Sequence, residues 1–246
     1  MMTVTPSSSV PCVTADQMRT VDRIATNDYG VSLLQMMENA GRHLAHLARE
    51  RFLDGDVRGR SVLVVCGRGG NGGGGLAAAR RLSNWGADVW VSTLTAPADY
   101  TGVPARQLSL LRHMEVPVER IASSDDLPDG DLMIDALVGY GLEGEPRDEL
   151  AACIRQIIWH GAPTLSLDVP SGLDATTGVP SDTTVHADAT LTLALPKCGL
   201  EAPVAASAVG DLYLADIGIP PSLYDALDLN GTLDGLFARQ DLIQLR

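Results

Sequence analysis

Between Val62 and Leu82 the chain reads V-L-V-V-C-G-R-G-G-N-G-G-G-G-L-A-A-A-R-R-L. An apolar run, Val62–Val65, passes into six glycines among the seven residues Gly69–Gly75, interrupted only by Asn71. A helix-forming stretch of Ala, Leu and Arg follows. Each glycine in regular structure costs roughly 0.5–1 kcal/mol relative to alanine. A run this dense therefore implies backbone that bends sharply or approaches something closely. In a strand–loop–helix unit that partner is commonly an anion held by the helix N-terminal amides.

The rest of the chain repeats this unit. Short apolar runs at Ser61–Val65, Asp88–Thr93, Val116–Ile121, Leu132–Leu137 and Thr164–Asp168 read as strands. Helical periodicity at about Gly75–Trp85, Val103–Met114 and Arg147–Trp159 lies between them. Such alternation predicts parallel strands covered on both faces. Two helices come first. Thr14 with Gln17, and Ser32 with Gln35, are capping boxes, and the second helix carries Leu33, Met36, Met37, Ala40, Leu44 and Leu47 on one side. Arg42, His43 and Glu50 fall largely on the other. Beyond Asp168, Ala187–Leu195 and Asp211–Ile217 read as strands joined by loops, at one sheet edge. The expectation is one domain over residues 14–246, preceded by a flexible tail, residues 1–13.

Composition narrows the partners. A net charge of −13 with no basic stripe argues against nucleic acid. No apolar run approaches the roughly 18–20 residues of a membrane helix. The Ser/Thr/Val-rich start lacks the regions of a secretory signal. Cys12, Cys66, Cys153 and Cys198 are widely spaced, which reads as reduced thiols in a cytoplasmic protein.

Gly67-x-Gly69-x-x-Gly72 fits the dinucleotide fingerprint, but that fingerprint wants an acid at the end of the second strand. Here Asp88 opens that strand, and it ends Ser92-Thr93-Leu94-Thr95. A P-loop is excluded, since no G-K-[ST] follows. Asp135, in Met133-Ile134-Asp135-Ala136-Leu137-Val138-Gly139-Tyr140-Gly141, stands where open α/β sheets bind ligands, although an acid there also serves as a turn or cap residue. Asp168 and Ser171 stand likewise in Leu167-Asp168-Val169-Pro170-Ser171-Gly172-Leu173-Asp174. The Asn71 amide, Asp135 carboxylate and Ser171 hydroxyl are oxygen donors without thiolate or imidazole. That set suits a hard cation, and its single formal charge suits a monovalent one. His43 and His46 lack a third ligand. Lys197 directly follows an apolar strand: it is a surface lysine, or it holds phosphate or positions a carboxylate for proton transfer.

Together these motifs resemble the NAD(P)H-hydrate epimerase family, the YjeF N-terminal domain (apolipoprotein A-I-binding-protein-like), over about residues 14–220. The resemblance rests on Met37-Glu38-Asn39-Ala40-Gly41-Arg42, the Cys66-Gly67 loop, Ile134-Asp135-Ala136, Asp168-Val169-Pro170-Ser171-Gly172-Leu173-Asp174, Pro196-Lys197-x-Gly199-Leu200 and Ala215-Asp216-Ile217-Gly218-Ile219-Pro220. It implies a Rossmann-like three-layer α-β-α sandwich and interconversion of the R and S forms of hydrated NADH and NADPH, a metabolite-repair reaction. Potassium would be held by Asn71, Asp135 and Ser171. Substrate would contact Gly70, Asn71, Gly72, Gly73 and Gly74, then Gly139, Tyr140, Gly141, Leu142, Glu143, Gly144 and Glu145, and Asp168. Asp168 and Lys197 are the implied catalytic pair, with acid and base unassigned. A separate dehydratase would consume one epimer, since the sugar-kinase-like domain fused in many bacterial relatives is expected to be missing. A homodimer is implied, with the N-terminal helices as one surface. The loop departs from the family pattern G-P-G-N-N-G-G-D-G, having Gly70 for Asn and Gly74 for Asp. The alternative is therefore a non-catalytic or repurposed nucleotide-binding module.

Overall fold

The computed structural model describes residues 10–121, 127–227, 229, 233 and 235–246. Both capping boxes form: Thr14 opens α1 (Ala15–Asn27) and Ser32 opens α2 (Leu33–Leu47), which continues into a π-helical turn, Ala48–Phe52. There follow β1 (Ser61–Cys66), α3 (Gly70–Asn84), β2 (Asp88–Thr93), α4 (Gly102–His113), β3 (Val118–Arg120), β4 (Leu132–Ala136), α5 (Asp148–His160) and β5 (Thr164–Leu167). The last elements are β6 (Ala189–Leu193), α6 (Cys198–Glu201), α7 (Ala206–Val209), β7 (Asp211–Ala215) and β8 (Leu242–Gln244).

The strands form one sheet in the order β3-β2-β1-β4-β5-β6-β7-β8, parallel except for the β7–β8 pair. Period-two alternation sorts each central strand between two cores. Val62, Val64 and Cys66 of β1 pack with α2, α3 and α4; Leu63 and Val65 pack with Ile154 and Ile157 of α5. A third cluster joins Met18 and Val21 of α1 to Leu212 and Leu214 of β7. This is the expected three-layer sandwich. The chain moves outward from β1 to β3, then returns to place β4 on the other side of β1. The crevice beyond the β1 and β4 ends is thus a topological switch point, where doubly wound sheets bind ligands.

The glycine run is mostly helix. Helix α3 begins at Gly70, five residues before the Gly75 start read from sequence, because its missing side chains are packing requirements. A Cβ at Gly72 would lie 1.7 Å from the Gly67 carbonyl oxygen, and one at Gly75 would lie 2.5 Å from the Ala136 Cβ. Helix α2 crosses α3 equally closely: a Cβ at Gly41 would meet the Ala77 Cβ at 2.5 Å, and one at Gly73 would meet the Met37 Sδ at the same distance. Small residues let the two helices and the sheet approach backbone to backbone.

Three other expectations change. Val10–Val13, assigned to the flexible tail, are docked: Val13 is fully buried and pairs as a parallel bridge with Lys197, while residues 1–9 lie outside the described set. That bridge brings Cys12 to Cys198, and the two form a disulfide across 186 residues, so only Cys66 and Cys153 are free thiols, both buried. Sequence spacing carries no signal for a pairing made by tertiary docking, and the bond removes the cysteine argument for a reducing compartment. His43, assigned to the polar side of α2, is 2% exposed and shares hydrogen-bond distance (3.0 Å) with the Arg42 guanidinium. Burial and that guanidinium push the imidazole down to about 4. β8 has no counterpart in the sequence reading, since three residues carry too little alternation to register. Among the described residues no helix is long and apolar enough to cross a membrane.

Candidate active site

The crevice is fixed from below by Asp135, fully buried at the β4 end. Its Oδ1 accepts from Ser171 Oγ (2.6 Å) and the Leu137 amide (3.3 Å). Its Oδ2 accepts from Ser166 Oγ (2.9 Å) and the Ser171 amide (2.9 Å). Burial raises the carboxyl's pKa, and these donors oppose the rise. Asp135 thereby staples the turn after β5 to the end of β4. The turn after β1 is held by the Tyr100 hydroxyl, which donates to the Cys66 and Gly67 carbonyls at 3.2 and 3.1 Å.

Asn71, in the first turn of α3, has both side-chain polar atoms buried with no hydrogen-bond partner. An unsatisfied buried polar group costs about 1–3 kcal/mol. The Ser171 hydroxyl, which donates to Asp135 at 2.6 Å and lies 3.2 Å from the Val138 carbonyl, and the Asn71 amide oxygen supply with the Asp135 carboxylate an all-oxygen donor set carrying one formal charge. This donor set fits a monovalent cation.

Asp168 follows β5 with φ +68°, a left-handed conformation costing on the order of 1–3 kcal/mol for a non-glycine residue. That kink ends the strand one residue before the sequence reading and turns the carboxylate into the crevice. Oδ2 accepts from the Tyr140 amide (2.9 Å), and Oδ1 accepts from the Lys197 ammonium. Gly139 is obligatory here, because a Cβ would lie 2.5 Å from Asp168 Oδ2. Lys197 is 1% exposed and also donates to the Leu193 carbonyl at 2.9 Å. Its surface-lysine reading is thus excluded. The ammonium stands 5.6 Å from the Tyr140 ring centroid, and the Tyr140 hydroxyl donates to the Asp22 carboxylate of α1. Burial raises the pKa of both Asp22 and Tyr140.

Beside these groups opens a cavity of about 930 Å³, whose wall does not include the buried Asp135 and Ser171. Gly70, Asn71, Gly139, Tyr140, Gly141, Asp168 and Lys197 line it. Gly72, Gly73 and Gly74 do not: they lie buried behind it in the first turns of α3. Leu142, Glu143, Gly144 and Glu145 are also off its wall, and Glu143 instead meets Arg19 of α1 at 3.1 Å. The two loop departures therefore differ in kind. A Cβ at Gly70 would face nearly open space, with only the Met37 Cε at 4.0 Å. One at Gly74 would be wedged against Leu167 Cδ2 at 2.9 Å and Ala40 Cβ at 3.6 Å, away from the cavity. Only Gly70 removes a side chain from the wall. Sequence reasoning missed Arg19 and Asp22. The signal was present: Asp22 follows Met18 by one helical turn and adjoins the buried Val21, so a carboxylate borders the apolar stripe.

The family described as YjeF-related protein N-terminus matches residues 33–199. The chain belongs to this family. It is 42% identical over 222 residues to the NAD(P)H-hydrate epimerase of Dehalogenimonas lykanthroporepellens, covering 90% of this chain and 88% of that one. The NAD(P)H-hydrate epimerase of Truepera radiovictrix is 43% identical over 218 residues, 88% of this chain and 94% of its own. A bifunctional NAD(P)H-hydrate repair enzyme of Moorella thermoacetica is 37% identical over 228 residues, but this chain spans only 43% of its length. The crystal structure of yeast ynu0 superposes with a TM-score of 0.79 over 96% of this chain and 100% of that one, at 22% identity, and shows the same fold.

The buried Lys197–Asp168 pair generates a stability prediction. Lys197→Met leaves Asp168 charged and unpaired, and should cost about 3–5 kcal/mol in urea unfolding. Adding Asp168→Asn to Lys197→Met should recover much of that loss. Two losses that simply add would show that the ammonium and carboxylate are not coupled.

Proposed function

We propose that this protein interconverts the R and S epimers of hydrated NADH and NADPH. The observation that carries the reading is a buried ammonium–carboxylate pair, Lys197 and Asp168, on the wall of a nucleotide-sized cavity at the switch point. The names of the 42% and 43% identical relatives support it.

The substrate carries a hydroxyl at carbon 6 of the nicotinamide ring. Its epimers exchange by breaking that carbon–oxygen bond, with the electron pair leaving on oxygen and a proton converting it to water. The ring nitrogen's lone pair delocalises the resulting cation, and water adds back to either face with loss of a proton. Two demands fall on the protein: a proton donor and acceptor at carbon 6, and negative charge near the transient ring cation. In this reading Lys197 donates to the departing hydroxyl and the Asp168 carboxylate offsets the ring charge. The Tyr140 amide and the left-handed kink hold that carboxylate in place. The low-dielectric cavity strengthens both effects.

Potassium is the cation we assign to Asn71, Asp135 and Ser171. When bound it would satisfy the Asn71 amide and add positive charge at the cavity floor, fixing the turn that carries Gly139 and Tyr140. The partner activity we assign is a dehydratase that consumes one epimer. One observation favours binding without turnover instead: Gly70 leaves the wall bare where the family pattern has Asn.

The decisive assay mixes the protein with hydrated NADH and a dehydratase that consumes one epimer. The account expects the other epimer to drain faster than it does spontaneously, and expects Asp168→Ala to abolish the acceleration. Nucleotide binding with no acceleration would establish the binding-module reading. For the cation, thermal melting in potassium chloride should exceed that in an equal concentration of choline chloride, and Asn71→Ala should erase the difference. Equal melting in both salts would remove potassium from the site.

A further inference from the structure

Inversion at carbon 6 makes a demand that Lys197 and Asp168 do not meet alone. Water leaves from one face of the ring and must be able to return to the opposite face. A proton is therefore delivered on one side and collected on the other. A single buried pair on one wall serves one face.

The cavity holds a second group of the required kind. Asp22 comes from α1, an element separate from the turns that carry Asp168 and Lys197, and its carboxylate accepts the Tyr140 hydroxyl. The Tyr140 ring divides the two pairs: its face stands 5.6 Å from the Lys197 ammonium, while its hydroxyl is directed at Asp22. Its backbone amide binds Asp168, so one residue fixes both pairs relative to each other. Arg19, one turn before Arg23 on the same helix, meets Glu143 at 3.1 Å and ties α1 to the turn that carries Tyr140. The structural alternative is that Asp22 merely satisfies a half-buried tyrosine, but phenylalanine there would need no partner and would leave no carboxylate to desolvate. A half-buried carboxylate on a cavity wall, with a hydroxyl bonded to it to relay a proton, has the composition of an acid–base pair.

We propose that Asp22 and Tyr140 form the second proton-handling pair of this site, serving the ring face opposite the one served by Lys197 and Asp168. The inference rests on the epimerase reading. In one direction the Lys197 ammonium gives a proton to the departing oxygen, and water entering from the other face loses one through the Tyr140 hydroxyl to the Asp22 carboxylate. The reverse reaction carries that proton from Asp22 through Tyr140 to the departing oxygen and returns one from water to Lys197, so each passage moves one proton across the site and the return passage, or solvent, restores the starting state.

The test measures kcat and KM for epimer exchange in wild type, Tyr140→Phe, Asp22→Asn and Asp22→Glu, alongside thermal melting and nucleotide binding by titration. General acid–base groups contribute about 100- to 10,000-fold. Tyr140→Phe and Asp22→Asn should each lower kcat at least about 100-fold, with KM and nucleotide affinity changed only a few-fold, and Asp22→Glu should restore part of the rate. Tyr140→Phe removes one oxygen and carries the test if Asp22→Asn does not fold. Both variants exchanging at near the wild-type rate, or losing affinity with kcat intact, would overturn the proposal while leaving the function in place. A wild-type protein that does not exchange the epimers would overturn the function itself.

Discussion

The ion pair between Lys197 and Asp168 organises this molecule. Burying an ammonium and a carboxylate costs several kcal/mol per ion, repaid only by close pairing and further hydrogen bonds. The fold supplies these from separate directions: the Leu193 carbonyl from β6 and the Tyr140 amide from the turn after β4. The N-terminal segment closes over the same place. Val13 bridges to Lys197 and Cys12 is bonded to the adjacent Cys198, so the first described residues seal the lysine's stem from water. The left-handed kink at Asp168 is tolerated because the surrounding bonds leave that carboxylate no other direction.

Asp135 has a complementary role at the neighbouring strand. Four donors converge on it, and all of them come from the β4 and β5 ends or the turns that follow. It thus converts two strand termini into a single rigid rim. Above that rim the chain leaves both polar atoms of the Asn71 side chain buried and without a partner. An unsatisfied buried group of this kind calls for a role or a bound partner. The close approach of α2 to α3 through Gly41 and Gly73 sets where Asn71 stands, so the glycine run serves the site mainly through packing.

Much of this is legible in the sequence. The alternation of short apolar runs with helical periodicity locates β1, β2, β4 and β5 within a residue or two, and both capping boxes mark true helix starts. Asp168 and Lys197 are readable because each closely follows an apolar strand, Asp168 at once after β5 and Lys197 four residues beyond the end of β6, where the topology delivers it to the crevice. What escapes sequence reading has a common cause. The Cys12–Cys198 bond, the docking of Val10–Val13 and the burial of His43 all depend on contacts between distant segments. The glycine run reads as loop because local propensity penalises glycine in helices, whereas here close tertiary packing overrides propensity. The same override separates Gly74, which lies under Leu167, from Gly70, which faces the cavity.

The central claim is that the nicotinamide ring is handled in the cavity bounded by Lys197, Asp168, Tyr140 and Asp22. A crystal soaked with a nicotinamide nucleotide in potassium-containing solution tests it most directly. The account predicts density for the ring between the Lys197–Asp168 pair and the Tyr140 hydroxyl, with a cation touching Asn71. A nucleotide bound elsewhere on the surface, with this cavity filled only by solvent, would contradict it.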